Sequence, residues 1–181
     1  ISPTIFGAVF ESTLNPETRR SGGMHYTSIE HIHKVIDPLF LDDLKAEFAK
    51  IQDIKQANPR KQALASFQDK LANLTFFDPA CGSGNFLTET FLSLRRLENK
   101  VIQAMFGGEN VLTFDILIKV NISQFYGIEI NDFACTVAKT ALWIAESQTL
   151  KETSAIAGRA IDFLPLKTNA YIHEGNALRI D

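Results

Sequence analysis

The sequence predicts an α/β protein. A helical N-terminal region over residues 1–73 precedes the first half of a parallel sheet over 74–181. Two observations carry this. Before Leu74, apolar residues recur at helical spacing between loop signals. After Leu74, short β-prone runs alternate with amphipathic helical stretches, and glycine or acidic residues stand where the runs stop.

The helical region begins with Ser2-Pro3 ahead of Ile5, Phe6, Val9 and Phe10. Asn15-Pro16 and Gly22-Gly23 mark a loop. Thr27 stands three residues before Glu30, a capping-box spacing, so Thr27 reads as the N-cap of a helix carrying Ile29, Ile32, Val35 and Ile36. Pro38 ends or kinks that helix. Leu41, Leu44, Phe48 and Ile51 mark a further helix, which Asn58-Pro59 breaks; Ala63, Leu64, Phe67 and Leu71 mark a third.

Leu74-Thr75-Phe76-Phe77 is the first strand, stopping at Asp78-Pro79. Phe86, Leu87, Thr90, Phe91, Leu94, Leu97 and Val101 form one face of the helix that follows. Phe125 to Ile130 is the second strand. Asn131-Asp132 caps a helix carrying Phe133, Val137, Ala141, Leu142 and Ile144. Ala170 to His173 is a weaker third strand, followed by Gly175-Asn176. Right-handed crossovers set the strands side by side in the order three, two, one. A ligand then belongs at their carboxyl ends, where Asp78, Gly82, Gly84, Glu129 and Asn176 fall.

Composition excludes several classes. Hydrophobic residues at 45% and charged residues at 22% are ordinary for a globular domain. The 14 Phe supply a large core. A net charge of −3 gives little grip on a phosphate backbone, and Arg19-Arg20 and Arg95-Arg96 read as solvated surface pairs. No apolar run approaches the roughly 18 residues of a membrane span. Cys81 and Cys135 match no metal spacing, and such sparse cysteine suits a reducing cytoplasm. His31 and His33, with no ligand partner at suitable spacing, read as surface. The start at Ile1-Ser2-Pro3 reads as the interior of a longer protein.

The most informative segment is Asp78-Pro79-Ala80-Cys81-Gly82-Ser83-Gly84-Asn85-Phe86. It is a strand end, a glycine turn and a helix start, which lets backbone N–H groups face a ligand. It is not the dinucleotide fingerprint, because Leu87 stands where a third small residue belongs, nor a P-loop, because no Lys-Ser or Lys-Thr follows. The segment resembles motif I of class I S-adenosylmethionine-dependent methyltransferases, in the form typical of bacterial DNA adenine-N6 enzymes. The resemblance implies that Asp78, Ala80, Cys81, Gly82, Gly84, Asn85 and Phe86 form the cofactor loop, with Asp78 and the Ala80 to Gly84 backbone at the methionine end. The small side chain of Cys81 suits a crowded turn.

Three further segments extend the resemblance over nearly the whole chain. Gly127-Ile128-Glu129-Ile130 resembles motif II, implying Glu129 as ribose acceptor and Ile130 against the adenine ring. The alternative for Glu129 is an acid at a helix start, interacting with the helix dipole. Gly23-Met24-His25-Tyr26-Thr27-Ser28 resembles motif X, a Gly-x-Tyr-Tyr-Thr-Pro pattern, with His25 and Ser28 departing from it. That resemblance implies that Tyr26 and Thr27 pack on the methionine moiety. Gly175-Asn176 resembles motif III, with Asn176 where Asp is usual; Asn176 is either an adenine ligand or a plain turn residue.

Together these imply a Rossmann-like class I methyltransferase fold, truncated before strand 4, from a type IIG-like restriction–modification polypeptide. The implied reaction moves methyl from S-adenosylmethionine to adenine N6 in duplex DNA. DNA contacts, a target-recognition domain and a possible fused nuclease are expected outside the chain. The Asn-Pro-Pro-aromatic motif that orients a flipped adenine is expected beyond Asp181, since no Pro-Pro occurs here. No residue of the chain is therefore assigned as catalytic, and the 181 residues alone are expected to be inactive. The alternatives are a protein-glutamine or RNA methyltransferase, or a cofactor-sensing module fused to a nuclease.

Overall fold

A computed structural model describes residue 3 and residues 27–106, 118–157 and 169–179. The helix expected around Ile5 to Phe10 and the Gly22-Gly23 loop lie outside them.

Helix α1 spans Ile29–Ile36. Its N-cap is Ser28, whose hydroxyl oxygen accepts the His31 N–H at 3.4 Å. The expected cap, Thr27, is one residue too early: Ser28 has the extended backbone that aims its side chain at the third helical N–H. Helix α1 ends at Ile36, just ahead of Pro38, as expected, but the chain does not leave the helical path there. It enters a π-helical turn, Asp37–Leu41, that leads into α2, Asp42–Gln52. A wider turn absorbs the missing N–H and the ring. Helix α3, Ala57–Asn73, holds Asn58-Pro59 in its first turn, where proline sacrifices no intrahelical hydrogen bond. The pair starts α3 instead of separating it from α2.

Strand β1, Phe76–Asp78, leads through the glycine turn to α4, Asn85–Phe106. A 3-10 turn, Ile122–Gln124, opens β2, Phe125–Glu129. Gln124 Nε2 donates to the Leu71 and Leu74 carbonyls at 2.9 and 2.7 Å, fastening the start of β2 to the end of α3. Helix α5, Asp132–Ala157, and β3, Tyr171–Glu174, follow. The sheet is parallel in the order β1-β2-β3, with Asp78 opposite Gly127 and Glu129 opposite Glu174. This is the strand order expected, and the three turns after the strands lie at one end of the sheet.

Helices α4 and α5 cover one face of the sheet. Phe125 stacks on Phe76 at 5.2 Å and meets Phe91 edge-on at 5.5 Å. Leu44, Phe48, Leu64, Phe67 and Leu71 from α2 and α3 join the same core. The buried seam of α5 is small: Ala134, Ala138, Ala141 and Ala145, with Leu142. Phe133, expected on the core side, is exposed. Its bulk would hold α5 away from α4, whereas alanines allow close approach. On the opposite sheet face Phe77, Tyr126 and Tyr171 stand in register, and the two tyrosine rings stack at 5.0 Å.

Arg95 is not surface. It is 1% exposed, and its guanidinium donates to Glu98 and, at 2.7 Å, to Thr153 on α5. Glu98 also accepts Gln68 Nε2 at 2.8 Å and the Lys119 N–H at 2.7 Å. One carboxylate thus ties α3, α4 and the approach to β2. Arg96, its sequence neighbour, is exposed and lies 3.6 Å from Glu152. Among the described residues, no helix is long and apolar enough to cross a membrane, and no cluster of metal-ligating side chains occurs.

Glu98→Ala strands the Arg95 charge in the core, so chemical denaturation should show a loss of about 3–5 kcal/mol. Arg96→Ala should lose less than about 1 kcal/mol in the same measurement.

Candidate functional site

The three strand-end turns converge on Glu129. The residue is buried, 8% exposed. Its Oε2 accepts the Gly82 N–H at 2.9 Å, and its Oε1 accepts the Asn131 N–H at 3.0 Å. Its main-chain carbonyl accepts the Gly175 N–H at 2.9 Å and faces Cys135 Sγ at 3.5 Å. Glu129 therefore touches the turn after each strand. It faces the glycine turn and it meets the start of α5, where Asn131 Oδ1 caps the Ala134 N–H at 2.9 Å.

Hydrogen bonds shape the glycine turn, among them that of the Gly84 N–H to the Cys81 carbonyl at 2.8 Å. Asp78 Oδ1 accepts the Ala80 N–H at 3.0 Å, which bends the chain out of β1. The Cys81 N–H donates to the Ile128 carbonyl at 3.0 Å, holding the turn against β2. The Gly84 carbonyl accepts the Thr88 N–H at 2.8 Å and so opens α4. Both glycines have positive φ, +54° at Gly82 and +76° at Gly84. They differ in surroundings. A Cβ at Gly84 would lie 2.8 Å from the Ala138 Cβ, so this glycine lets α5 approach. A Cβ at Gly82 would meet nothing within 4 Å, so the backbone there faces open space.

Ala80 is exposed, Cys81 is buried, and Asn85 is buried with an Oδ1 that has no hydrogen-bond partner. Phe86 packs on Ile32, Ile36 and Leu41. Ile130 is exposed beside Glu129. Asn176 is half-buried, and its Oδ1 accepts the Leu178 N–H at 3.0 Å, as a turn residue does. Thr27 is half-buried just ahead of α1, and Tyr26 lies outside the described residues. The residues brought together most closely are Asp78, Gly82, Glu129 and the Asn131 and Gly175 backbones.

Electrostatics separates this turn from a phosphate cradle. Burial pushes the Asp78 carboxyl above the ordinary carboxylate range; the Ala80 N–H opposes the shift and the Glu129 charge adds to it. Burial, with both carboxylates nearby, pushes the Cys81 thiol up to about 12, so it is inert as a nucleophile. Two carboxylates that sense each other suit a cationic or hydroxyl-bearing ligand and oppose a phosphate.

His33 was missed as an interacting group. It is half-buried, between Asp37 and Glu89. The i,i+4 spacing to Asp37 was visible in the sequence; the contact to Glu89 needed the fold.

Residues 54–181 match the family described as MmeI, DNA-methyltransferase domain. The chain belongs to this family. It is 42% identical over its whole length to DNA methyltransferase A of Bacillus subtilis (strain 168), covering 20% of that protein. It is 26% identical over 171 residues to a putative type II restriction enzyme and methyltransferase, RM.MjaORFECS2P, of Methanocaldococcus jannaschii, covering 83% of this chain and 14% of that protein. The fold matches the structure of the type IIL restriction–modification enzyme MmeI, solved in complex with DNA, at a TM-score of 0.90 and 44% identity. That match covers all of this chain and 24% of the MmeI chain. The chain thus spans a fifth or less of the length of these curated relatives. The MmeI family match, with three parallel strands behind a helical region, makes this a Rossmann-like methyltransferase fold.

Gly84→Ala combines positive φ with a backbone-close clash and should destabilise by about 2–4 kcal/mol. Gly82→Ala carries only the φ penalty, about 1–2 kcal/mol; thermal unfolding of the two variants checks the order. A second expectation concerns Asp78. Its raised folded value means the native state holds the proton more tightly than the unfolded chain does. Its contribution to stability is present below the ordinary carboxylate value and lost as pH rises through the raised one. Asp78→Asn should therefore flatten this part of the pH profile and raise the denaturation midpoint at neutral pH.

Proposed function

We propose that the chain is the cofactor-binding part of a site-specific DNA methyltransferase that moves methyl from S-adenosylmethionine to adenine N6. The observation that carries this reading is the convergence of three strand-end turns on Glu129, with Asp78 beside it. Bound S-adenosylmethionine supplies an electrophilic methyl group on a sulfonium. The residues present fit it. Two carboxylates and the open space over Gly82 form an anionic cradle for a cation that also carries an amine and hydroxyls.

In this reading Glu129 accepts the ribose hydroxyls, exchanging its present Gly82 and Asn131 contacts for ligand donors. Asp78 and the Ala80 to Gly84 backbone hold the methionine end, with Cys81 filling the turn beneath. Tyr26 and Thr27 close that side, Asn85 and Phe86 fix the start of α4, Ile130 covers the adenine ring, and Asn176 meets its edge. The division at residues 73/74 separates a helical region from this cofactor half. Adenine orientation falls to a motif outside the 181 residues, so these residues alone do not methylate DNA. Duplex DNA binds through other regions of the polypeptide, with a fused nuclease and a target-recognition domain as further parts, in the cytoplasm. The family match gives no support to a protein-glutamine or RNA substrate.

The test uses the full-length polypeptide, labelled S-adenosylmethionine and mixed-sequence duplex DNA. Label on adenine N6 supports the reading. Cofactor binding without transfer supports a sensing module instead. Titration calorimetry should show Glu129→Ala losing about 1.5–3 kcal/mol of cofactor binding and Asn176→Ala about 0.5–1.5 kcal/mol. Equal losses would leave Glu129 as a capping acid only.

A further inference from the structure

The proposed site leaves His33 without a role, yet its ring joins two carboxylates. Nδ1 lies 2.9 Å from Asp37 Oδ1, and Nε2 lies 3.2 Å from Glu89 Oε1. Asp37 opens the π-helical turn after α1, and Glu89 lies near the start of α4 with a side chain only 5% exposed. A neutral imidazole donates from one nitrogen only, and a carboxylate only accepts. The imidazolium alone satisfies both partners. Around this bridge, Ile32, Ile36 and Leu41 pack on Phe86, so polar and apolar contacts join α1 to the same first turns of α4. Helix α1 starts just after Thr27 and Ser28; α4 starts just after Gly82 to Gly84.

We infer that protonated His33 is a positioning residue for the cofactor site, bridging Asp37 and Glu89 so that the Thr27 end of α1 is held against the glycine turn. This rests on the cofactor reading above. The charged groups around the bridge support it. Lys45 lies 3.5 Å from Asp37 and 3.6 Å from Asp42, on the solvent side. Glu30 and Lys34 pair with each other at 3.0 Å on the exposed face of α1. Asp37 and Glu89 are thus the acids that bear on the ring. The Asp37 hydrogen bond raises the His33 value above that of a free histidine, with Glu89 adding and burial opposing. The Asp37 carboxyl is correspondingly lowered by His33. A raised folded value means the bridge is complete below about pH 6.5 and is lost as pH rises through the raised value.

The consequence is a pH-linked cofactor affinity that belongs to His33. The experiment is titration calorimetry with S-adenosylmethionine on the full-length polypeptide at pH 6.5 and pH 9. Wild type is compared with His33→Gln, Glu89→Gln and His33→Lys. The ligand's own amino group titrates in this window in all four, so each variant is read as its ratio to wild type. At pH 6.5, His33→Gln and Glu89→Gln should bind on the order of fivefold more weakly than wild type, and at pH 9 the three should converge. His33→Lys carries a permanent cation and should bind more tightly than wild type at pH 9. A constant ratio between His33→Gln and wild type overturns the inference, because a purely structural histidine gives that result. Weak binding by His33→Lys at both pH values overturns it too. If wild type binds no S-adenosylmethionine at either pH, the cofactor reading itself falls, and the role of His33 falls with it.

Discussion

The carboxylate of Glu129 is the constraint on which the site depends. It sits at the end of β2, buried among the turns that follow all three strands, and it accepts backbone N–H groups from two of them. The third turn reaches its main-chain carbonyl. A buried carboxylate is tolerable only when hydrogen bonds replace its lost hydration, and here the replacing donors are N–H groups of the strand-end turns themselves. The same bonds therefore stabilise the charge and shape the loops. A ligand with two hydroxyls would offer this carboxylate donors equivalent to the two N–H groups.

Behind the site a second carboxylate plays the corresponding role for the scaffold. Glu98 gathers donors from α3, α4 and the segment before β2, and Arg95 extends the network to α5 through Thr153. Breaking one member would strand a buried charge, so the network specifies one arrangement of helices more than it adds to stability. The alanine seam of α5 and the bare Gly84 then allow the two sheet-covering helices to close on each other. The proximity of α5 to the glycine turn is thus set by the small size of Gly84 and Ala138.

The architecture divides the labour between rigid and adjustable parts. The sheet and α4–α5 pair fix Asp78, the glycine turn and Glu129 relative to one another through short-range backbone bonds. Helix α1 is different: it meets α4 through one apolar cluster and the His33 bridge. A contact of that size is the one most easily biased by a single proton or a ligand.

The sequence by itself determined the strand–turn–helix order, the glycine turn with Asp78, the acid at the end of β2 and the family to which these belong. Those features are local: a strand end, a tight turn and a helix start each impose residue types over a few consecutive positions. The parallel order of the strands also followed, because right-handed crossovers leave little choice. The tertiary structure decided what depends on distant partners. Arg95 and Arg96 are identical in composition and adjacent in sequence, yet one is buried and one is solvated, because only the former points at Glu98 and Thr153. Phe133 is more apolar than Ala134, yet it is the alanine that is buried, because the face α5 turns inward is set by its packing and not by the apolarity of one residue. His33 looked like a surface residue until Glu89, on another helix, was brought under it. Burial and pairing across such sequence separations are properties of the packed whole, and no local pattern encodes them.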